Sequence, residues 1–425
     1  MKKSLFALAA VGALSGVVHA QSSVTVYGII DEGLSGGNTQ VSNGGAVNTS
    51  SGVIKSTGLG FTSGNQSTSR LGFKGNEDLG GGLSAFFTYE IKMDNDSTAG
   101  WSTARQAFVG VKKNGWGSIA AGTQNTPIYD AVLSSDPGAV NNIAGNLVTT
   151  SSKGPQGALP SGSGVATNQP YATRLANTAS IKTDNFSGFT ARALILASAA
   201  NTTETTTNTA TTAGVGGSGV LSTVGTASTT NNQSGFGIGA DYTWQKLLVT
   251  ANYQSFKATS TLNTVSTTPT LFSPGGVTTA ATNSRDAGQY YAATYDFGIL
   301  KAFGQYINRK VSNDTNTAFF QKYTAQQIGV RSFVTPTVEV WGSAAMGKYY
   351  AYPTLTGTAG ATTYMPGSAN LNAFQLGANY WLSKRSNLYA IYGQTATSNY
   401  SNTSATSNPV SGNQNNYSVG VRHTF

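Results

Sequence analysis

The sequence predicts an all-β chain, a sixteen-stranded antiparallel transmembrane β-barrel with short periplasmic turns and long external loops. Three observations predict it. Apolar and aromatic residues alternate with small or polar ones at period two in segment after segment. The connections between these segments alternate between short and long. The chain is marked for export yet holds no second long apolar run, and a closed barrel is then the one way its backbone can be satisfied in lipid.

The export signal comes first. Lys2 and Lys3 precede the apolar run Ser4–Val18, and Val18-His19-Ala20 follows before Gln21. A basic start, an apolar middle and small residues at the end read as a cleaved signal peptide over residues 1–20. The run is shorter than the ~20 residues that a spanning helix needs. Residues 21–425 then form a single barrel domain, because strand and turn signals persist throughout. Of the 25 Lys and Arg, removing Lys2 and Lys3 leaves 23 cations against 16 acids. That surplus comes without a basic run or helix, so no nucleic-acid partner is expected. Cysteine is absent, which excludes disulfides and thiolate metal sites. Charged residues are 10%, beside 52 Gly, 20 Tyr and 18 Phe, a balance unlike that of a soluble α/β enzyme.

The strands show their faces. Phe236, Ile238, Ala240, Tyr242 and Trp244 oppose Gly237, Gly239, Asp241 and Thr243. Leu247, Val249, Ala251 and Tyr253 follow after only Gln245 and Lys246, which makes a tight hairpin. Phe374, Leu376, Ala378 and Tyr380 repeat the pattern. Aromatics end such faces at Trp244, Phe297, Tyr350, Trp381 and Phe425, as the two aromatic girdles of a membrane barrel require. Short connections fall at Glu77–Gly82, Lys113–Trp116, Asp184–Gly188, Gln245-Lys246, Phe297-Gly298, Thr335–Thr337 and Ser383–Ser386. Long ones fall at roughly 33–66, 94–102, 123–173, 198–234, 257–286, 312–320, 351–370 and 397–415. Seven turns and eight loops join sixteen strands, an even number. The Thr/Asn/Ser/Gly-rich stretch Asn201–Gln233 cannot build a core and reads as an external loop. The final strand places Tyr417, Val419, Val421, His423 and Phe425 on one face, and Ser418, Gly420, Arg422 and Thr424 on the other.

Several segments, in order and spacing, resemble general porins of the Gram-negative, betaproteobacterial (neisserial-like) type. They are Ser23–Asp31, Ser69–Gly75 with Glu77–Gly80, Arg105–Gly110, Trp116–Gly122, Asn185–Phe189 and Tyr417–Phe425. The resemblance covers essentially the whole mature chain. It implies a water-filled trimeric barrel whose third external loop folds inward to narrow each pore. It also implies assembly through the C-terminal strand, with Tyr417, Val419, Val421 and Phe425 as the signal read by the barrel-assembly machinery. Outer-membrane lipid and lipopolysaccharide are the implied surroundings. One departure stands out: Ala121-Gly122-Thr123-Gln124 occupies the place where many relatives carry Arg.

The third loop, about Thr123 to Thr173, carries Asp130, Asp136 and Lys153. Folded inward, its carboxylates would face cations on the wall and set up a field across the water. Strand registers that keep apolar residues on lipid turn Arg70, Lys74, Arg174, Lys182, Arg192, Arg331 and Arg422 toward the lumen. A lipid-facing Arg near mid-membrane costs ~2–4 kcal/mol, which favours that assignment. Arg105 and Lys301 stay unassigned, because both faces of their strands read alike. The expected function is passive diffusion of small hydrophilic solutes and ions, with a mild preference for anions and no cofactor. A solute-specific channel of the same fold is the alternative; Tyr290 and Tyr389 are too few to argue for a sugar path. A barrel enzyme would need a general base, and the mature chain keeps only His423, on the lipid face near the periplasmic rim. Glu77-Asp78 sits in a turn, and Asp94-Asn95-Asp96 lacks the rest of a calcium loop.

Overall fold

The computed structural model describes residues 23–43, 52–95, 100–148, 174–201, 205–206, 226–227, 230–261, 281–313, 320–356, 363–402 and 410–425. The expected signal peptide and Lys153 lie outside these residues. β1 (Ser23–Asn43) pairs along one edge with two strands in line. β2 (Gly52–Ser63) covers its second half, from Glu32↔Ser63 to Asn43↔Gly52, and β3 (Arg70–Gly80) covers its first, from Ile29↔Arg70 to Ser23↔Asn76. β2 and β3 are thus one barrel position, broken at residues 64–69. Each next strand pairs antiparallel with the one before: β4 (Leu83–Asp94), β5 (Gly100–Lys113), β6 (Gly117–Asn125), β7 (Arg174–Thr183) and β8 (Phe189–Asn201). β9 (Thr205–Thr206) and β10 (Thr226–Ala227) form a separate small ladder. β8 then pairs with β11 (Thr230–Trp244), and the series runs on through β12 (Leu247–Thr261), β13 (Ala281–Asp296), β14 (Lys301–Asn313) and β15 (Phe320–Phe333). β16 (Val338–Thr356), β17 (Thr363–Trp381), β18 (Ser386–Asn402) and β19 (Val410–Thr424) complete it. β19 returns to β1, from Ile29↔Thr424 to Ser42↔Ser411, so the sheet closes with sixteen positions and leaves no edge to lipid.

The short turns stand where the alternation put them, for example at Gly81-Gly82, where both φ angles are positive, and at Gln245-Lys246. The long connections are shorter than the sequence implied. Residues 33–43 and 52–63 fall in the first expected loop, yet they pair with each other. Strand also continues through 351–356 and 363–370. Lipid demands an apolar face only within its own thickness. Beyond it, Ser, Thr, Asn and Gly can stay in the ladder with both faces wet, and their alternation vanishes.

Outward residues form the apolar girth: Val109, Ile195, Ile238, Ile328, Leu376 and Val419 are each at least half exposed. Trp381 corrects the girdle expectation. It lies on the inward face with Gln375 and Asn379, where its indole N–H donates to Glu339 Oε2 at 3.3 Å. His423 stays on the outer face, against Ser386 Oγ at 2.8 Å.

The seam closes on the last residue. Gly28 N donates to Phe425 O at 3.0 Å, and Phe425 N donates back to Gly28 O at 3.1 Å. The Phe425 ring fills the space where a side chain on Gly28 would stand. Gly28→Val is therefore expected to lift the ring from the seam and lower the temperature at which the barrel loses its compact gel mobility. Its secondary structure by circular dichroism should stay mainly β, so that an unchanged mobility transition would contradict this account of the seam.

Candidate functional site

Inside the barrel, β6 leads into helix α1 (Pro127–Ser135). The Thr126 hydroxyl accepts from Tyr129 N, and Pro127 occupies the first turn, where its missing N–H costs nothing. Ile128, Ala131 and Val132 form the buried stripe of α1. They pack on Tyr290, Ala292 and Ile307, which face inward from β13 and β14. The chain then runs through residues 136–148 along β15–β18, where Leu147 and Val148 join the same apolar cluster with Leu371 and Ala373. Inward glycines seat the segment. A Cβ on Gly237 would stand 2.9 Å from Pro127 Cδ, and one on Gly329 would stand 2.6 Å from Pro137 Cγ.

Polar bonds fasten it. Arg331 donates twice to Pro137 O, at 2.9 and 2.6 Å, and also reaches Glu339 Oε1 at 3.0 Å. Asn141 and Gln375 exchange side-chain amide bonds of 2.6 and 3.0 Å, and Tyr323 donates to Leu147 O at 2.6 Å. Asp136 was expected as a carboxylate facing the lumen; instead it is buried under the segment. Val140 N and Asn146 Nδ2 donate to it at 2.7 and 2.6 Å, and Gln327 Nε2 reaches it at 3.3 Å. Burial pushes its carboxyl above the ordinary value, against the pull of those donors and of Arg331. The reason is local: Ala139 and Val140 adopt positive φ angles of 54° and 57°, and the Asp136 carboxylate holds that turn. Asp130 sits on the other side of α1, partly exposed, 3.9 Å from Arg192 Nη1.

The wall left uncovered by α1 is cationic. Arg70, Arg105 and Arg174 gather about Glu90. Arg105 Nε lies 2.6 Å from Glu90 Oε1 and Arg70 Nη1 lies 3.7 Å from it. The Arg174 guanidinium stands 4.6 Å from the Tyr129 ring and donates to its hydroxyl at 2.9 Å, which ties this wall to α1. Tyr27 OH completes the group, 3.2 Å from Glu90 Oε2. Lys74 lies nearer the short turns, 5.5 Å from the Tyr27 ring. Lys182 and Arg192 face inward beside α1, with Arg192 bound to Asp241. Arg422 faces inward at 5.8 Å from the Trp381 ring. Arg331 also faces inward, but it is committed to the loop.

Arg105 and Lys301 can now be placed. Glu90 pairs with Gln106 and Ile91 with Ala104, so Arg105 is the extra residue of a bulge and turns inward out of phase. Lys301 shares the inward face of β14 with Phe303, over whose ring it sits at 5.2 Å. That face reads as apolar because α1 covers Ile307, not because lipid does. Glu90 and Tyr129 were missed; an acid at a central strand position was the available signal for Glu90. Gln124, in the segment that leads into α1, bonds Thr178 and Ser180. No cluster of His, Cys, Asp and Glu among the described residues could hold a metal ion.

Comparison with known proteins agrees with the fold. An outer membrane porin protein of Bordetella pertussis is 27% identical over the full length of both chains. The anion-selective porin from Comamonas acidovorans superposes with a TM-score of 0.61 at 22% identity, over 95% of this chain and all of that one. The trimer form of OmpT, an outer membrane protein of Vibrio cholerae, gives 0.54 at 16% identity, over 95% of this chain and 99% of that one. The profile of the Gram-negative porin family matches residues 7–400, nearly the whole barrel, and the chain belongs to that family of passive outer-membrane diffusion channels.

Proposed function

We propose that this channel passes small hydrophilic solutes without selecting among them and mildly prefers anions. The observation that carries the reading is the group of three guanidiniums about one carboxylate, Glu90, on the wall facing α1. Lys74, Lys182, Arg192, Arg422 and the inward Lys301 add positive charge around it, and Asp130 supplies the opposing sign from the helix. Arg331 and Asp136 hold the loop that sets the width. The likeness to an anion-selective porin supports the sign. Tyr290 and Tyr389 are both buried, 0% and 2% exposed, which speaks against an aromatic sugar path. The channel performs no chemistry and takes no cofactor. It works as a homotrimer, a reading supported by the trimer form of OmpT, and is exported through residues 1–20. Its last strand, with Tyr417, Val419, Val421 and Phe425, is the signal to the barrel-assembly machinery.

Planar-bilayer recording of the purified protein tests the reading. Conductance steps in groups of three, with sugar flux linear in concentration, are expected. Saturable block by a single solute would overturn it in favour of a specific channel.

A further inference from the structure

The break between β2 and β3 at residues 64–69 lies on the inner side of the barrel. Gly64, at a φ of 78°, turns the chain off β2, and Arg70 returns it to the wall where β3 begins. Asn65, Gln66 and Ser69 are buried. Gln66 reaches β17 and β18, where its side-chain amide bonds Asn379 at 2.5 Å and Asn387 at 2.9 Å. Just before the break, Leu59 and Phe61 face outward, which turns Gly58 and Gly60 inward. A Cβ on either glycine would meet nothing within 4 Å, so open lumen borders the segment on its external side.

Asp31 anchors the segment from beneath. It is fully buried on the inner face of β1, opposite Arg422 in the ladder. Its carboxylate accepts from Ser67 N at 2.5 Å and from the Tyr389 hydroxyl at 2.7 Å. Its backbone holds both ends of the segment: Asp31 O accepts from Gly64 N at 2.9 Å, and Asp31 N donates to Ser69 Oγ at 3.0 Å. Tyr389 crosses to Asp31 from β18 over bare wall at Gly33 and Gly420; a Cβ on Gly33 would stand 2.7 Å from its hydroxyl. A carboxylate withdrawn from water is kept by such donors.

The upper side of the segment touches two parts of the constriction. Arg70 donates from Nε to Thr68 O at 2.9 Å and from Nη2 to Ser67 Oγ at 3.2 Å, which fixes one guanidinium of the group about Glu90. Asn142, at the tip of the inward loop, donates from N to Asn65 O at 2.9 Å. Its side-chain amide donates to Gly64 O at 2.6 Å and to Thr68 Oγ1 at 3.3 Å. The ring around the pore is thereby closed. It runs from the cationic wall through α1 and residues 136–142, then back through residues 64–69 to Arg70.

We infer that residues 64–69 are a clasp joining the tip of the inward loop to the cationic wall, with Asp31 as the positioning residue that keeps it shut. Loosening the clasp frees the loop tip and lets Arg70 swing away from the path of anions. The inference rests on the anion-preferring reading of the wall and adds what holds wall and loop in register.

Asp31→Ala and Asp31→Asn are compared with the native protein in planar bilayers, each first shown to keep its heat-sensitive gel mobility. Both remove one negative charge and leave Arg422 equally without it. Only Asn can still accept from Ser67 N through Oδ1, while its Nδ2 donates to the Tyr389 oxygen. Asp31→Asn should therefore keep the native current noise, and Asp31→Ala should be noisier. Carrying the Arg70 charge from about 4 Å to about 8 Å from a passing chloride lowers local chloride occupancy roughly twofold. Asp31→Ala should then show the weaker anion preference of the two in its zero-current potential, whereas loss of charge alone would move both variants equally. Equal noise and equal potentials in the two variants would overturn the clasp. Asn142→Ala covers the case in which Asp31→Ala does not fold. Two lost hydrogen bonds raise the open fraction of the clasp roughly 30-fold, so this variant should also be noisier. A folded Asn142→Ala channel with native noise would overturn the proposal. A native protein without anion preference would overturn the reading of the wall alone, and the noise comparison would still decide the clasp.

Discussion

Replacing Arg70 and Arg174 together with Glu is expected to turn the pore from anion-favouring to cation-favouring. These residues and Arg105 surround the single carboxylate of Glu90, so the group carries a surplus of guanidinium charge beside the open lumen. A unit charge about 4 Å from a passing ion is worth about 1 kcal/mol in water, roughly a fivefold change in local ion occupancy. Exchanging two cations for two anions shifts the local charge by four units, more than enough to reverse a mild preference. Screening will shrink the effect at high salt, because the Debye length falls to about 3 Å at 1 M. Zero-current potentials across a dilute salt gradient provide the check. Unchanged sign and size would mean that ions are sorted elsewhere.

The second large effect concerns the width of the pore. Ile128 and Val132 are fully buried against Tyr290 and Ile307 and carry no polar duty. The double variant I128D/V132D would place two carboxylates in that apolar contact. An unpaired buried polar group costs about 2–7 kcal/mol and an ionised one more, so α1 should leave the wall. The barrel ladder is untouched, so the heat-sensitive gel mobility should persist while single-channel conductance rises and becomes noisier. Native conductance in a folded double variant would show that α1 does not set the width.

The girth of the barrel was legible in the sequence because lipid imposes a strict rule on it. Phe236, Ile238, Tyr242 and Trp244 must alternate with small or polar partners, and the turn at Gln245-Lys246 announces itself. The same rule fails wherever lipid is absent. Residues 37–43 and 52–58 pair with no apolar alternation to show it, beyond the exposed Leu34, Leu59 and Phe61 nearer the body of the sheet. On β14, Phe303, Ile307 and Val311 mimic a lipid face although all three are buried on the inner side, where Ile307 packs against α1. Arg105 escaped because one extra residue shifts the phase of its strand. Asp136 was named from the sign of its charge, yet what it does depends on a turn at Ala139-Val140 that no period reveals. Strand phase turned Arg70 and Arg174 toward the lumen; their grouping with Arg105 around Glu90 needed the fold, since the three come from different strands.

The zero-current potential of the native protein in a tenfold potassium chloride gradient addresses the central claim most directly, since the two ions differ little in mobility. The account predicts a modest potential whose sign reports chloride as the more permeant ion. A potential of opposite sign and near the limit for a cation-selective pore would contradict it.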